Sequence, residues 1–203
     1  MKRLMMKASA MVVLLVAILL PGRDGRAEAR RDSWIESGRH EVDISLSMSR
    51  LLAAGGRHDY VSPGNAGWAP GLAISYGYFA TEWLKLEAQA QLDVGLLTDH
   101  GFLTGLALGG ASVYFKQDTE LQAFVGLRLG GGFLLEGDSD GGLAEYRPSF
   151  VIAPKAGIQL QLTDRIGLHA YLEYQGVFVH TNNGYAYGDR HMIRLPVGVS
   201  FVF

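Results

Sequence analysis

The chain has 203 residues, a formal net charge of −2, no cysteine, and 48% hydrophobic residues spread among 27 glycines. Without cysteine it is neither a lipoprotein nor a disulfide-stapled exported domain. With no basic run after its first residues, nucleic acid is not expected as a partner.

Lys2, Arg3 and Lys7 precede an apolar run from Ala10 to Leu20, and Ala27-Glu28-Ala29 fits a small-x-small cleavage pattern. The run is too short to span about 30 Å of hydrocarbon as a helix. Residues 1–29 are therefore expected to be a cleaved signal peptide, with cleavage near Ala29. Residues 30–39, charged but carrying Trp34 and Ile35, are expected to form a short periplasmic tail that touches the inner leaflet.

From residue 40 onward the apolar residues recur at period two. Val42, Ile44, Leu46 and Met48 alternate with Asp43, Ser45, Ser47 and Ser49, and Leu72 to Tyr78 alternate with Ala73, Ser75, Gly77 and Phe79. The clearest segment has Leu84, Leu86, Ala88, Ala90, Leu92 and Val94 on one face, and Lys85, Glu87, Gln89, Gln91 and Asp93 on the other. Such alternation predicts a strand with one apolar and one polar side. Gly105 to Lys116 is glycine-rich; it reads as a strand whose facing stays open. Leu121 to Gly130, Ile152 to Leu162, Ile166 to Gln175 and Ile193 to Phe203 repeat the pattern, giving eight strands. Pro154 and Pro196 fall inside two of them and call for a bulge or a locally unpaired position.

The connections alternate in length. Those at Ala80–Glu82, Lys116–Thr119 and Thr163–Arg165 are short; those at Ala53–Ala69, Leu97–Thr104, Glu136–Arg147 and His180–Arg190 are long. An up-and-down barrel would put all the short turns at one end and all the long loops at the other. Tyr60, Trp68, Tyr146, Tyr185 and Tyr187 are the loop aromatics suited to contacting an extracellular partner.

Alternation does not say which face is outside. A soluble lipocalin-like barrel buries the apolar face, whereas a membrane barrel turns it outward. The polar face carries Asp43, Glu87, Asp93 and Glu173 against Lys85, Arg128, Lys155 and Arg194, a balanced set that can pair inside an eight-stranded cylinder. Tyr76, Tyr78, Trp83, Tyr114, Phe201 and Phe203 cluster toward the short turns, and Phe133, Phe150, Tyr174 and Phe178 toward the long loops, as two interfacial belts would. These features predict an all-β, eight-stranded, antiparallel, up-and-down transmembrane barrel over residues 40–203, monomeric and facing lipid.

On these residues the chain resembles the small eight-stranded outer-membrane barrels, of the OmpA membrane-domain and OmpX type. The resemblance implies periplasmic short turns and cell-surface loops. It also implies that Val199, Phe201 and Phe203 form a C-terminal signal read by the barrel-assembly machinery. It implies no single activity.

Three groups could carry chemistry. His180-Thr181-Asn182-Asn183-Gly184 is similar to the nucleophile motif of lipid A deacylases, but Asn182 stands where a serine is needed and Asp189 has the wrong spacing. A hydrolase needs its nucleophile within reach of a base, so a surface turn is the better reading. His58-Asp59, Asp99-His100, His180 and Asp189-Arg190-His191 could meet at a barrel mouth, yet they lack local metal-ligand spacing, and Asp138-Ser139-Asp140-Gly141 lacks the distal ligands of a calcium loop. No cofactor is expected. Lastly, Asp43, Lys85, Glu87, Asp93, Arg128, Lys155, His169, Glu173 and Arg194 could line an ion path or form a salt-bridged plug. Eight strands leave little lumen, so the plug is preferred over the channel.

Overall fold

A computed structural model describes residues 35–56, 68–96, 100–115, 120–138, 145–179 and 187–203. They form a closed, eight-stranded antiparallel barrel in strict sequence order. The strands are β1 (His40–Gly56), β2 (Trp68–Phe79), β3 (Leu84–Leu96), β4 (His100–Phe115), β5 (Leu121–Asp138), β6 (Glu145–Gln161), β7 (Ile166–Val179) and β8 (Tyr187–Val202). Every strand pairs with its two neighbours and β1 pairs with β8, so no edge is left open. In hydrocarbon that closure is obligatory, because no water is present to satisfy an unpaired backbone group.

The strands run 12 to 18 residues, longer than a bilayer crossing requires. The extra length lies at the long-loop end. Trp68, Tyr146 and Tyr187 therefore stand on β2, β6 and β8 rather than in loops, as do His100 on β4 and Asp189 and His191 on β8.

At the short-turn end two connections share one device. Thr81 Oγ1 accepts hydrogen bonds from the amides of Trp83 and Leu84 at 3.3 and 3.0 Å. Thr163 Oγ1 accepts from Arg165 and Ile166 at 3.2 and 3.0 Å. A threonine hydroxyl that satisfies two turn amides lets the chain reverse within a few residues.

Neither proline makes a bulge. On both sides of Pro154 the β6–β7 register is unchanged, but the pairing lapses between Ile152–Gly176 and Lys155–Glu173. Pro196 pairs with Ser47 of β1, while the β7–β8 ladder lapses between Ala170–Val197 and Glu173–Arg194. Each proline turns its missing N–H toward β7.

The two faces divide as a membrane barrel requires. Leu46 is 69% exposed, and Ile44, Leu72, Ile74, Leu86, Leu92, Leu127, Leu172 and Val197 also face outward. Lys85 is 3% exposed, and Glu87, Arg128, Glu173 and Arg194 are buried inside. Tyr76, Tyr78, Trp83, Phe115, Phe201 and Phe203 ring the outside at the short-turn end; Phe150, Tyr174 and Phe178 do so at the other. Tyr114 departs from the belt assignment. The glycine-rich β4 turns its even positions inward, which buries the Tyr114 ring in the lumen.

Candidate functional site: the sealed interior

Among the described residues the lumen is filled by side chains of the inward face. At the short-turn mouth Ile35 is buried against Phe79, Tyr114, Phe124, Tyr171 and Val202. In the described part of the segment before β1, residues 35–39, Ile35 is thus turned into the barrel mouth, while Trp34 lies outside the described residues. Ser37 Oγ donates to the Ala80 carbonyl at 3.1 Å, and Gly38 N donates to the Phe79 carbonyl at 2.8 Å. Gly38 adopts φ +89°, a left-handed conformation that favours glycine.

Above this plug lies a ring of aromatics, Phe79–Tyr114–Phe124–Tyr171, with successive centroids 5.6, 5.2 and 6.0 Å apart. Two ammonium groups sit over these faces. Lys85 Nζ is 5.8 and 5.5 Å from the Phe79 and Tyr114 centroids, and Lys155 Nζ is 5.3 and 5.2 Å from those of Phe124 and Tyr171. The arrangement gives each desolvated cation a π-face as well as a carboxylate.

The ionic layers follow. Lys85 Nζ contacts Glu41 at 2.5 Å and Asp43 at 3.5 Å. Gln159 Nε2 donates to Glu41 at 3.0 Å and to Ser200 Oγ at 3.1 Å, and the Tyr114 hydroxyl donates to Gln159 Oε1 at 2.8 Å. His169 Nδ1 lies 3.0 Å from Ser200 Oγ and 3.7 Å from Asp43 Oδ1. Next, Glu87 collects Arg128 Nε at 3.1 Å, Lys155 Nζ at 2.6 Å and the Ser112 hydroxyl at 3.1 Å. Arg128 spans to Glu173 at 2.8 Å and to the Tyr171 hydroxyl at 3.1 Å. Arg194 joins Glu173 at 2.9 Å, Asp93 at 3.1 Å, Gln91 Oε1 at 2.8 Å and Ser47 Oγ at 2.7 Å. Gln91 also donates to Asp93, and Gln175 donates to Glu173 at 2.8 Å.

Toward the long-loop end the lumen turns apolar. Leu106, Leu108, Val151, Ala153, Val177 and Met192 close over the ionic core. A cavity beside Glu41, Asp43, Lys85, His169 and Tyr171 has a volume of about 10 Å³, which suits a single water rather than a conduit.

The structure brings all nine sequence-selected polar residues into this lumen: Asp43, Lys85, Glu87, Asp93, Arg128, Lys155, His169, Glu173 and Arg194. It adds a tenth, Glu41, which is fully buried. The expected four-to-four charge balance is therefore corrected. Among the described residues five carboxylates face four lysines and arginines, with His169 beside Asp43. Glu41 stands two residues before Asp43, and carrying the β1 alternation back by one step would have found it.

The remaining candidates fall mostly outside the described residues. His58, Asp59, Tyr60, Asp99, His180 to Gly184, and Tyr185 lie outside the described residues. Asp138 ends β5, with Ser139 to Gly141 outside the description. Among the described residues no group of three His, Asp or Glu side chains is arranged to hold a metal.

No protein-family model and no curated protein matches the sequence. Solved structures do. Neisserial surface protein A superposes with a TM-score of 0.66 at 16% identity, covering 82% of this chain and 100% of that one. Ail, the attachment invasion locus protein of Yersinia pestis, gives 0.53 at 15% identity over 82% and 99% of the two chains. The N-terminal barrel domain of Pseudomonas aeruginosa OprF gives 0.54 at 18% identity over 82% and 100%. A closed eight-stranded barrel, an apolar exterior between aromatic belts and these superpositions agree: the chain is a membrane-embedded, lipid-contacting β-barrel with the fold of the small eight-stranded outer-membrane proteins.

Proposed function

We propose that the protein is a non-enzymatic, closed barrel of the outer membrane, in which the interior is a structural plug and the surface loops meet an extracellular partner. The observation that carries this reading is the lumen. Arg128, Arg194 and Lys85 each contact carboxylates on strands across the cylinder, and apolar side chains stop both ends. A conducting pore needs a continuous wet path; here the interior lysines and arginines are held by carboxylates, and the buried polar atoms without a partner, such as Gln89 Oε1 and Gln122 Oε1, are scattered singly.

The protein acts as a monomer and needs no cofactor. Its outward C-terminal positions Val199, Phe201 and Phe203 present the signal taken up by the barrel-assembly machinery. Phe203 is 66% exposed, stacks on His40 at 5.9 Å, and exchanges backbone hydrogen bonds with it at 2.9 and 3.0 Å. The short turns face the periplasm and the long-loop end faces outward.

Planar-bilayer recording tests the plug. The native barrel is expected to give no steady single-channel steps. Steps abolished by Arg128→Ala or Glu87→Gln would establish a channel instead. Mass analysis of lipid A with and without the protein tests the enzyme alternative, for which loss of an acyl chain would be decisive.

A further inference from the structure

The outward faces of β7, β8 and β1 change character at one level. On β7, Ile166, Leu168, Ala170 and Leu172 give way to Tyr174; on β8, Phe201, Val199, Val197, Leu195 and Ile193 give way to His191; on β1, Val42, Ile44, Leu46 and Met48 give way to Arg50. The register joins the three strands. Tyr174 and Arg50 both pair with Ile193, one from each side, and Arg50 also pairs with Trp68. On the same face Tyr174 Oη lies 2.5 Å from His191 Nδ1, with the two rings stacked at 5.9 Å. Among the strand residues whose side chains are described, Arg50 is the one lysine or arginine that is exposed.

Its height is informative. Arg50 is ten residues beyond His40, which marks the short-turn interface beside Tyr76, Tyr78 and Phe203. Ten residues of strand at about 3.3 Å each, tilted by about 40°, rise about 25 Å, the height of the apolar band of such barrels. Arg50 therefore stands where hydrocarbon gives way to headgroups. Immediately beyond it the β1–β8 register shifts between Leu51 and Ala53, an irregularity of the kind that re-aims side chains next to a site.

We propose that Arg50, Tyr174 and His191 form a docking site on the lipid-facing wall for the phosphate of an anionic lipid headgroup in the long-loop leaflet. A planar guanidinium matches phosphate oxygens with paired N–H donors. The Tyr174 hydroxyl engages His191 through Nδ1, and Nε2 has no hydrogen-bond partner among the described residues, so the imidazole retains a second polar atom for the ligand. Neutral phosphatidylcholine offers its phosphate beneath a compensating cation, whereas lipid A and phosphatidylglycerol carry net negative charge.

The full-length barrel is tested in nanodiscs of phosphatidylcholine mixed with either lipid A or phosphatidylglycerol, and the lipid retained on detergent release is counted. The native protein is expected to retain the anionic lipid in preference to phosphatidylcholine, and Arg50→Gln to lower that retention by about fivefold. Arg165→Gln, the same charge change in a turn at the opposite end, is expected to leave it unchanged. Enrichment of lipid A alone assigns the site to a phosphomonoester; enrichment of both lipids assigns it to the phosphate of either. If Arg50→Gln lowers the folded yield, Tyr174→Phe provides the second test, with retention falling by about twofold. Retention unaltered by Arg50→Gln, or lowered equally by Arg165→Gln, overturns the site.

Discussion

Arg128 reaches Glu173 across the lumen: Nη1 stands 2.8 Å from Oε2 although β6 lies between their strands in the sheet. The same guanidinium meets Glu87 of β3 at 3.1 Å, so one side chain ties β3, β5 and β7 together. Hydrogen bonds between neighbouring strands close the wall; this cation stops the cylinder from flattening.

Arg128→Met is expected to destabilise the barrel strongly. Removing one member of a buried ion pair typically costs about 3–5 kcal/mol, because the partner charge stays buried. Here Lys155 still touches Glu87 and Arg194 still touches Glu173, so the lower figure, about 3 kcal/mol, applies. Urea unfolding in lipid vesicles measures it. A loss below about 1 kcal/mol would mean that the network is ornamental to stability.

The excess carboxylate predicts an asymmetry at the short-turn end. Lys85 is shared by Glu41 and Asp43, at 2.5 and 3.5 Å. Lys85→Met strands two acids, while Glu41→Gln leaves Lys85 paired with Asp43. The first substitution is expected to cost more than the second by at least about 1 kcal/mol in the same unfolding assay. Equal costs would contradict the shared-lysine geometry.

The prolines predict a soft stretch of wall. Between Tyr171 and Gln175, β7 lacks ladder pairs with β8 near Pro196 and with β6 near Pro154. Amide exchange there is expected to run at least about tenfold faster than between Leu86 and Asp93 of β3, which pairs continuously on both sides. Uniform protection along both strands would show that the lapses have no dynamic consequence.

Deleting Phe203 is expected to lower the yield of heat-modifiable barrel severalfold. The terminal ring stacks on His40 and its backbone closes the β1–β8 seam. Undiminished yield of assembled barrel would remove Phe203 from the assembly signal.

Much of this was legible in the sequence because a membrane barrel writes its two solvents into alternate positions. In β3 every odd residue from Lys85 to Asp93 is polar and every even one from Leu84 to Val94 is apolar, so facing could be read directly. In β4 it could not. Leu106, Leu108 and Tyr114 turn inward while Ala107 and Gly109 meet lipid, so the side carrying the bulk is reversed there. That inversion hid both the apolar stopper and the aromatic ring, whose members Phe79, Phe124 and Tyr171 look out of place on a polar face until Lys85 and Lys155 are seen above them. Strand ends were also illegible. Alternation fades beyond the bilayer, where neither face meets hydrocarbon, yet the ladders continue to Gly56, Asp138 and Glu145. The burial of Ile35 left no periodic trace, since a single side chain turned into a mouth has no repeat to reveal it.

The orientation of the two faces underlies every claim above, and the cysteine-free chain gives direct access to it. Single cysteines introduced one at a time from Lys85 to Val94 would carry a fluorophore read against quenchers placed in the acyl chains. Strong quenching is expected at Leu86, Ala88, Ala90, Leu92 and Val94 and little at Lys85, Glu87, Gln89, Gln91 and Asp93. The opposite phase, or no period of two, would contradict a lipid-facing apolar wall around an ionic core.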